Sequence, residues 1–202
     1  MSHNPEPQPY PALRAQAIES LLVEKGVISS DAIDALVDQF ERDIGPLRGA
    51  RVVARAWSNP AFKARLLSDA NAACDELAIE GLRTRLVVLE NTPQVHNMVV
   101  CTLCSCYPWA VLGLPPSWYK SPPYRSRAVA EPRAVLREFG VDLDPDVEVR
   151  VWDSSSEVRY MVLPERPAGT DSMTEDELAA LVSRDAMIGV AQVAAPASDR
   201  AA

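Results

Sequence analysis

Three of the chain's four cysteines, Cys101, Cys104 and Cys106, fall within six residues inside the segment Val100 to Trp109. Thiolates are soft metal ligands and strong nucleophiles, so a cluster this dense points to metal or redox chemistry. The Cys104-Ser105-Cys106 triplet is the more restrictive half of the pattern. An ion held by both of its sulfurs must lie against the peptide links of Ser105 and Cys106, which makes those two backbone nitrogens possible ligands.

The residues allow four readings of the cluster. Buried cysteines can serve as small hydrophobes, although three in six residues is more than a core needs. A structural zinc knuckle uses the Cys101-Thr102-Leu103-Cys104 spacing, but it draws two further ligands from a second pair, and no such pair exists. Cys74 falls four residues after Ala70 and eight after Leu66, on the apolar face of a helix, and is assigned to the core. The two histidines are His3, in a polar tail, and His96, in a strand. A thiol redox switch is the third reading, without the strand-to-helix setting of the thioredoxin type. The fourth is a catalytic transition-metal site, in which three thiolates and two amide nitrogens leave one octahedral position open. Such donors suit trivalent cobalt or iron better than zinc or magnesium, and an open position on such an ion is a Lewis acid.

Composition sets the compartment and excludes some partners. The net charge is −8 and the pI near 4.8, with no basic stripe, which argues against a nucleic-acid surface. The Pro-rich start, Met1 to Pro7, lacks a basic and apolar signal pattern, and no run reaches membrane-spanning length, so a cytoplasmic protein is expected. In that compartment clustered thiols act as ligands or redox groups more often than as disulfides.

The elements that must position the cluster follow from periodicity. Residues 1–11 hold four prolines and read as a flexible tail. Helical spacing at Leu13, Ala17 and Leu21, then at Ile33, Leu36, Val37 and Phe40, is followed by an Asn59-Pro60 start for a helix running to Leu77. These define an N-terminal helical arm over 12–80, whose apolar faces either embrace another subunit or fold back. From residue 81 to 190 the pattern becomes an α/β part that carries the metal loop. Leu86 to Leu89 and Val95 to Val100 read as strands, and the cysteine segment leaves the end of the second. Val147 to Trp152 and Val158 to Leu163 flank a polar connection, and a hairpin is the simplest pairing. Thr174 to Glu177 is a capping box opening a last helix, and 191–202 reads as a second flexible tail. The fold class expected is α+β.

Several separated motifs recur in order with those of a known family. They are Val100 to Trp109, Val111 to Pro116, Tyr124-Arg125-Ser126-Arg127, Val151 to Glu157 and Pro164 to Asp171. Together they resemble the α subunit of nitrile hydratase, from the first helix to Met187-Ile188-Gly189. The resemblance implies a helical arm followed by a layered α-β-β-α domain. It implies sulfur ligands from Cys101, Cys104 and Cys106, and amide ligands from Ser105 and Cys106. Cys104 would be oxidised to a sulfinic and Cys106 to a sulfenic acid. Thr102 and Tyr107 look like the cobalt class, where the iron class carries Ser and Thr, so low-spin Co(III) is expected ahead of iron.

The activity implied is hydration of a small nitrile to its amide, with Cys104, Ser105 and Cys106 as the catalytic set. The resemblance also implies a β subunit contributing two arginines, an αβ or α2β2 assembly, and an activator protein for cobalt insertion. Trp109 is similar to a substrate-pocket residue, and Asp153, Glu157 and Arg159 to a polar network behind the site. Two departures bear on substrate range. Gly81-Leu82-Arg83-Thr84 stands where relatives carry Gly-Leu-Gln-Gly, placing Arg83 at the expected pocket, and Ala110 stands where Pro often follows the Trp. Rival readings are the metal subunit of thiocyanate hydrolase and a non-catalytic thiol redox or metal module.

Overall fold

The computed structural model describes residues 10–103 and 106–196. Cys104, Ser105, residues 1–9 of the expected N-terminal tail and 197–202 of the C-terminal one lie outside them. Among the described residues no helix is long and apolar enough to cross a membrane.

Helix α1 (Tyr10–Glu24) ends where Gly26 takes a positive φ of 67°, with the amides of Gly26 and Val27 bonded back to the carbonyls of Val23 and Leu22. That 5→2 and 6→1 pair is a glycine-terminated helix end. Helix α2 (Ser30–Asp38) is capped by the Ser29 hydroxyl, and a π-helical turn at Gln39–Ile44 leads into α3 (Gly45–Ser58). Asn59 caps α4 (Pro60–Ser68) through its side-chain oxygen, 2.9 Å from the Phe62 amide. The helix expected to run on to Leu77 breaks at Asp69, whose carboxylate accepts from Ala72 and starts α5 (Ala70–Glu76). Aspartate competes with the helical ladder for backbone donors, which explains the break.

The strands depart from the expected hairpin. β1 (Arg85–Glu90) and β2 (Val95–Val100) are followed, after an intervening helical stretch, by β3 (Glu148–Asp153) and β4 (Val158–Leu163). β3 does not pair with β4. It runs parallel to β2, in the register Val95↔Glu148 to Val100↔Asp153, while β4 runs parallel to β1. Each short connection therefore steps from one sheet to the other instead of folding back within one. Leu89, Val99 and Val162, with Val87, Trp152 and Tyr160 against them, form a cluster drawing on all four strands. β1 and β2 are apolar on successive positions, as parallel strands covered on both faces are, and a hairpin would leave part of that surface in water.

Helices α3 to α5, grouped with the arm by sequence, share the main core through Val52, Val53, Phe62, Leu66, Ala73 and Cys74. Burying Phe62 and Leu66 contributes roughly 1.5–3 kcal/mol each. By contrast α2 has no buried residue, and Leu13, Ile18 and Leu21 of α1 are exposed. The capping box forms as read, with Thr174 and Glu177 bonded reciprocally at the start of a helix over Glu175–Leu181.

A buried polar network joins the two sheets to the C-terminal segment. His96 Nε2 lies 2.8 Å from the Gly189 carbonyl, and Nδ1 lies 3.3 Å from the Asn91 amide nitrogen. A carbonyl only accepts, so Nε2 carries the proton and Nδ1 accepts. Asn91 Oδ1 in turn accepts from Asn97, and Trp152 Nε1 donates to Asn97 Oδ1. Burial lowers the His96 pKa against the opposing pull of the Gly189 carbonyl. The unfolded chain therefore takes up a proton that the folded chain refuses, and stability drops as pH falls below about 6.5. Thermal melts should show this decline as pH falls below about 6.5, and His96→Gln should flatten it. An equally steep profile in the variant would rule out His96 as its source.

Candidate metal centre

The loop begins where β2 delivers Cys101 into the core with no exposed surface. The chain then turns outward: Leu103 is 88% exposed. It returns at Cys106, Tyr107 and Pro108, all buried, and enters a short helix, α6 (Trp109–Leu112). Cys101 and Cys106 are thus buried at the two ends of the segment that exposes Leu103.

The backbone on each side of that excursion is held by side chains from far along the sequence. The parallel register sets Asp153 beside Val100, close enough for its carboxylate to reach the next turn. There Asp153 Oδ1 accepts from the Thr102 amide at 2.9 Å, and Oδ2 accepts from the Thr102 hydroxyl. A 3₁₀ turn at Ser117–Lys120 and helix α7 (Pro122–Ala130) supply the other grips. Ser121 caps α7 and Pro122 occupies its first turn, which orients the residues that follow. Tyr124 donates to the Val99 carbonyl at 2.7 Å, Arg125 Nε to the Cys101 carbonyl at 3.0 Å, and Arg125 Nη2 to the Thr102 carbonyl. Tyr119 donates to the Cys106 carbonyl at 3.1 Å.

Those tyrosines belong to a close aromatic cluster. Tyr107 and Tyr119 meet edge to face at 5.1 Å, and Trp118 packs at 4.8 Å against both Tyr124 and Phe139. Burial pushes the phenols of Tyr107, Tyr119 and Tyr124 well above their ordinary range. They stay neutral, and Tyr119 and Tyr124 remain donors to the loop. Cys74 is fully buried and its thiol is pushed up to about 12 by desolvation, consistent with a core residue that carries no chemistry.

Trp109 is 38% exposed at the loop's exit, its ring edge-on to Phe40 at 5.8 Å and the Lys120 ammonium 5.6 Å from its centroid. The π-helical turn that carries Phe40 is clamped to the end of α6. A Cβ on Gly113, whose φ is 70°, would lie 2.7 Å from Gly45 Cα. Glycine is needed there both for its conformation and for the close approach.

The other residues singled out by sequence are placed less closely. Arg83 is exposed and makes no hydrogen bond to the described residues of the loop, although the chain at Gly81 passes Ala110, whose Cβ would be 3.6 Å from a Cβ on that glycine. Glu157 is exposed on the connection before β4, and its main chain bonds to Arg85. Arg159 lies in β4 with its Nη1 buried and unbonded among the described residues. Asp153 is thus the member of the expected polar network with a described grip on the loop. Sequence reading missed Tyr119, Tyr124 and Arg125 as partners of it. The signal available was the run of hydroxyl and guanidinium donors around two proline pairs: Tyr119 between Pro115-Pro116 and Pro122-Pro123, and Tyr124, Arg125 and Arg127 just after the second.

Cys104 and Ser105 lie outside the described residues, and among the described residues no group of three or more His, Cys, Asp or Glu is placed to hold a metal ion. The chemistry of the donor set still fits a low-spin trivalent ion, which strong-field thiolate and amide donors favour. Cys101 and Cys106 belong to one buried cluster and bracket the remaining sulfur and the two amides. A cavity of about 430 Å³ between Trp57, Lys63, Glu90 and Arg166 contains none of these residues.

Known proteins resemble this chain over nearly its whole length. The sequence matches the model of the nitrile hydratase α-chain family over residues 9–191. It is 57% identical to the low-molecular weight cobalt-containing nitrile hydratase subunit alpha of Rhodococcus rhodochrous, over 96% of this chain and 98% of that one. It is 42% identical to the thiocyanate hydrolase subunit gamma of Thiobacillus thioparus, over 87% of this chain and 76% of that one. Among solved structures, a double mutant of the Fe-type nitrile hydratase from Comamonas testosteroni Ni1 superimposes with a TM-score of 0.86 at 39% identity, covering 96% of this chain and 98% of that one.

The Asp153 grip on Thr102 is directly measurable. A double-mutant cycle with Thr102→Val and Asp153→Asn, read by denaturant unfolding, should give a coupling of about 1 kcal/mol. Additive effects would show that the two residues do not act together.

Proposed function

The chain belongs to the nitrile hydratase α-chain family, and we propose that it is the cobalt-carrying α subunit of a nitrile hydratase, converting a nitrile to its amide. The observation that carries this reading is the 57% identity to a cobalt-containing α subunit over nearly the whole chain. Thiocyanate hydrolase, whose reaction also adds water to a C≡N bond, is the related alternative, and the lower identity of its subunit ranks it second.

In this reading the sulfurs of Cys101, Cys104 and Cys106 and the amide nitrogens of Ser105 and Cys106 would hold trivalent cobalt. When bound, the ion supplies Lewis acidity that draws electron density from the C≡N bond. The remaining steps belong to the protein. Cys106, oxidised to a sulfenic acid, places an oxygen at the end of the loop nearest Trp109, and Cys104 carries the sulfinic acid. The nitrile carbon gains one oxygen and its nitrogen two hydrogens, so that one water is consumed overall. Fixing the nucleophile and the nitrile in one geometry lowers the barrier by removing their freedom to drift apart.

Trp109, with Phe40 behind it, forms an apolar wall suited to the nitrile's organic part. Arg83, on the strip that passes Ala110, tunes the approach, and Asp153, Glu157 and Arg159 support the loop from behind. A β subunit completes the site, in an αβ or α2β2 assembly loaded by an activator protein in the cytoplasm.

Produced together with its β subunit and supplied with cobalt, the chain should form amides from a panel of nitriles. Intact-mass analysis should find two added oxygens on Cys104 and one on Cys106. Cys106→Ser should abolish turnover while the chain stays folded and bound to β. Zinc with unmodified thiols, or turnover retained in Cys106→Ser, would sink the reading, and faster consumption of thiocyanate than of any nitrile would favour the alternative.

A further inference from the structure

We propose that Arg125 is a positioning residue for the metal loop, fixing the backbone that follows Cys101 before any metal arrives. The proposal rests on the cobalt reading above and adds a role that the cysteine motif does not contain.

One planar guanidinium donates to two successive carbonyls, those of Cys101 and Thr102. In an extended chain successive carbonyls point to opposite sides. Bringing both to one cation therefore specifies a turn at Thr102, at the point where the chain must leave β2 and begin to wrap an ion. The other side of the same residue is fixed as well, because Asp153 takes both the amide and the hydroxyl of Thr102. Thr102 thus has its donors and its acceptor committed to partners on β3 and α7, and the path after the first ligand is set by groups that are not themselves ligands.

Arg125 is itself held for this task. It stands in the first turn of α7, which Ser121 caps, and the neighbouring Tyr124 is tied to the Val99 carbonyl. Among the described residues Arg125 makes no ion pair, whereas Arg127, two positions on, is engaged with Glu131 and Glu138. The guanidinium of Arg125 is directed to the loop backbone and not to a carboxylate. A lysine in its place would present a point charge and lose the fork that spans two carbonyls.

The test uses the full chain with its β subunit, prepared without cobalt and then titrated with it. Hydrogen exchange of the peptide covering 101–108 reports the loop, exchange in β1 and β4 reports the fold, and cobalt per chain reports the outcome. Arg125→Gln should raise loop exchange about tenfold and weaken cobalt uptake by a similar factor, with β1 and β4 unchanged. Arg125→Lys should restore neither, and Arg127→Gln should resemble the wild type. Wild-type cobalt uptake or unchanged loop exchange in Arg125→Gln overturns the proposal, as does full rescue by Lys. A rise in β1 and β4 exchange equal to that of the loop also overturns it, by making Arg125 a general stabiliser of the fold. If the wild-type complex takes up no cobalt, the cobalt reading fails separately, and the exchange comparison still decides whether Arg125 fixes the loop.

Discussion

The parallel register of β2 and β3, which places Asp153 beside Val100, is the constraint on which the cysteine loop depends. A strand that ends in Cys101 delivers one thiol to the core but says nothing about the direction of the next residues. Because β3 runs alongside it in the same sense, both strands end at the same edge, and the Asp153 carboxylate arrives where Thr102 needs an acceptor. Antiparallel pairing within a hairpin would send the end of β3 to the start of its partner. The crossing of the two short connections between the sheets is thus a functional property of the topology as well as a way of burying Leu89, Val99 and Val162.

From that edge outward, side chains from distant segments hold the loop by its backbone. Tyr124, Arg125 and Tyr119 donate to carbonyls before, within and after it, and their own positions are fixed by the Ser121 cap and the aromatic cluster around Trp118. A centre that uses backbone nitrogens as ligands needs this kind of support, since a ligand amide is as well placed as its peptide plane. The same logic ties the arm to the site: the π-helical turn carries Phe40 to Trp109 and is locked against α6 where Gly113 meets Gly45.

The cysteine pattern that suggests the candidate site was legible in the sequence because it is local. The spacing of Cys101, Cys104 and Cys106 is a property of six residues, and the caps at Asn59 and Thr174 are signals of three or four. The strand pairing was not legible, because a short polar connection suits a hairpin and a step between sheets equally well, and the choice is made by which surfaces are covered. Nor was the Arg125 contact, since a guanidinium that binds carbonyls leaves no complementary residue type to find. Asp69 shows a local signal overlooked: an Asp-Ala pair inside a helical pattern can end one helix and start another.

The central claim is that the three cysteines and the peptide between the last two form one coordination sphere around cobalt. X-ray absorption at the cobalt edge of the complex with its β subunit tests it most directly. A first shell of three sulfurs with lighter atoms completing six positions, lost when Cys101 is replaced by Ser, is the expected result. A shell of oxygen and nitrogen alone, or one unchanged in Cys101→Ser, would contradict it.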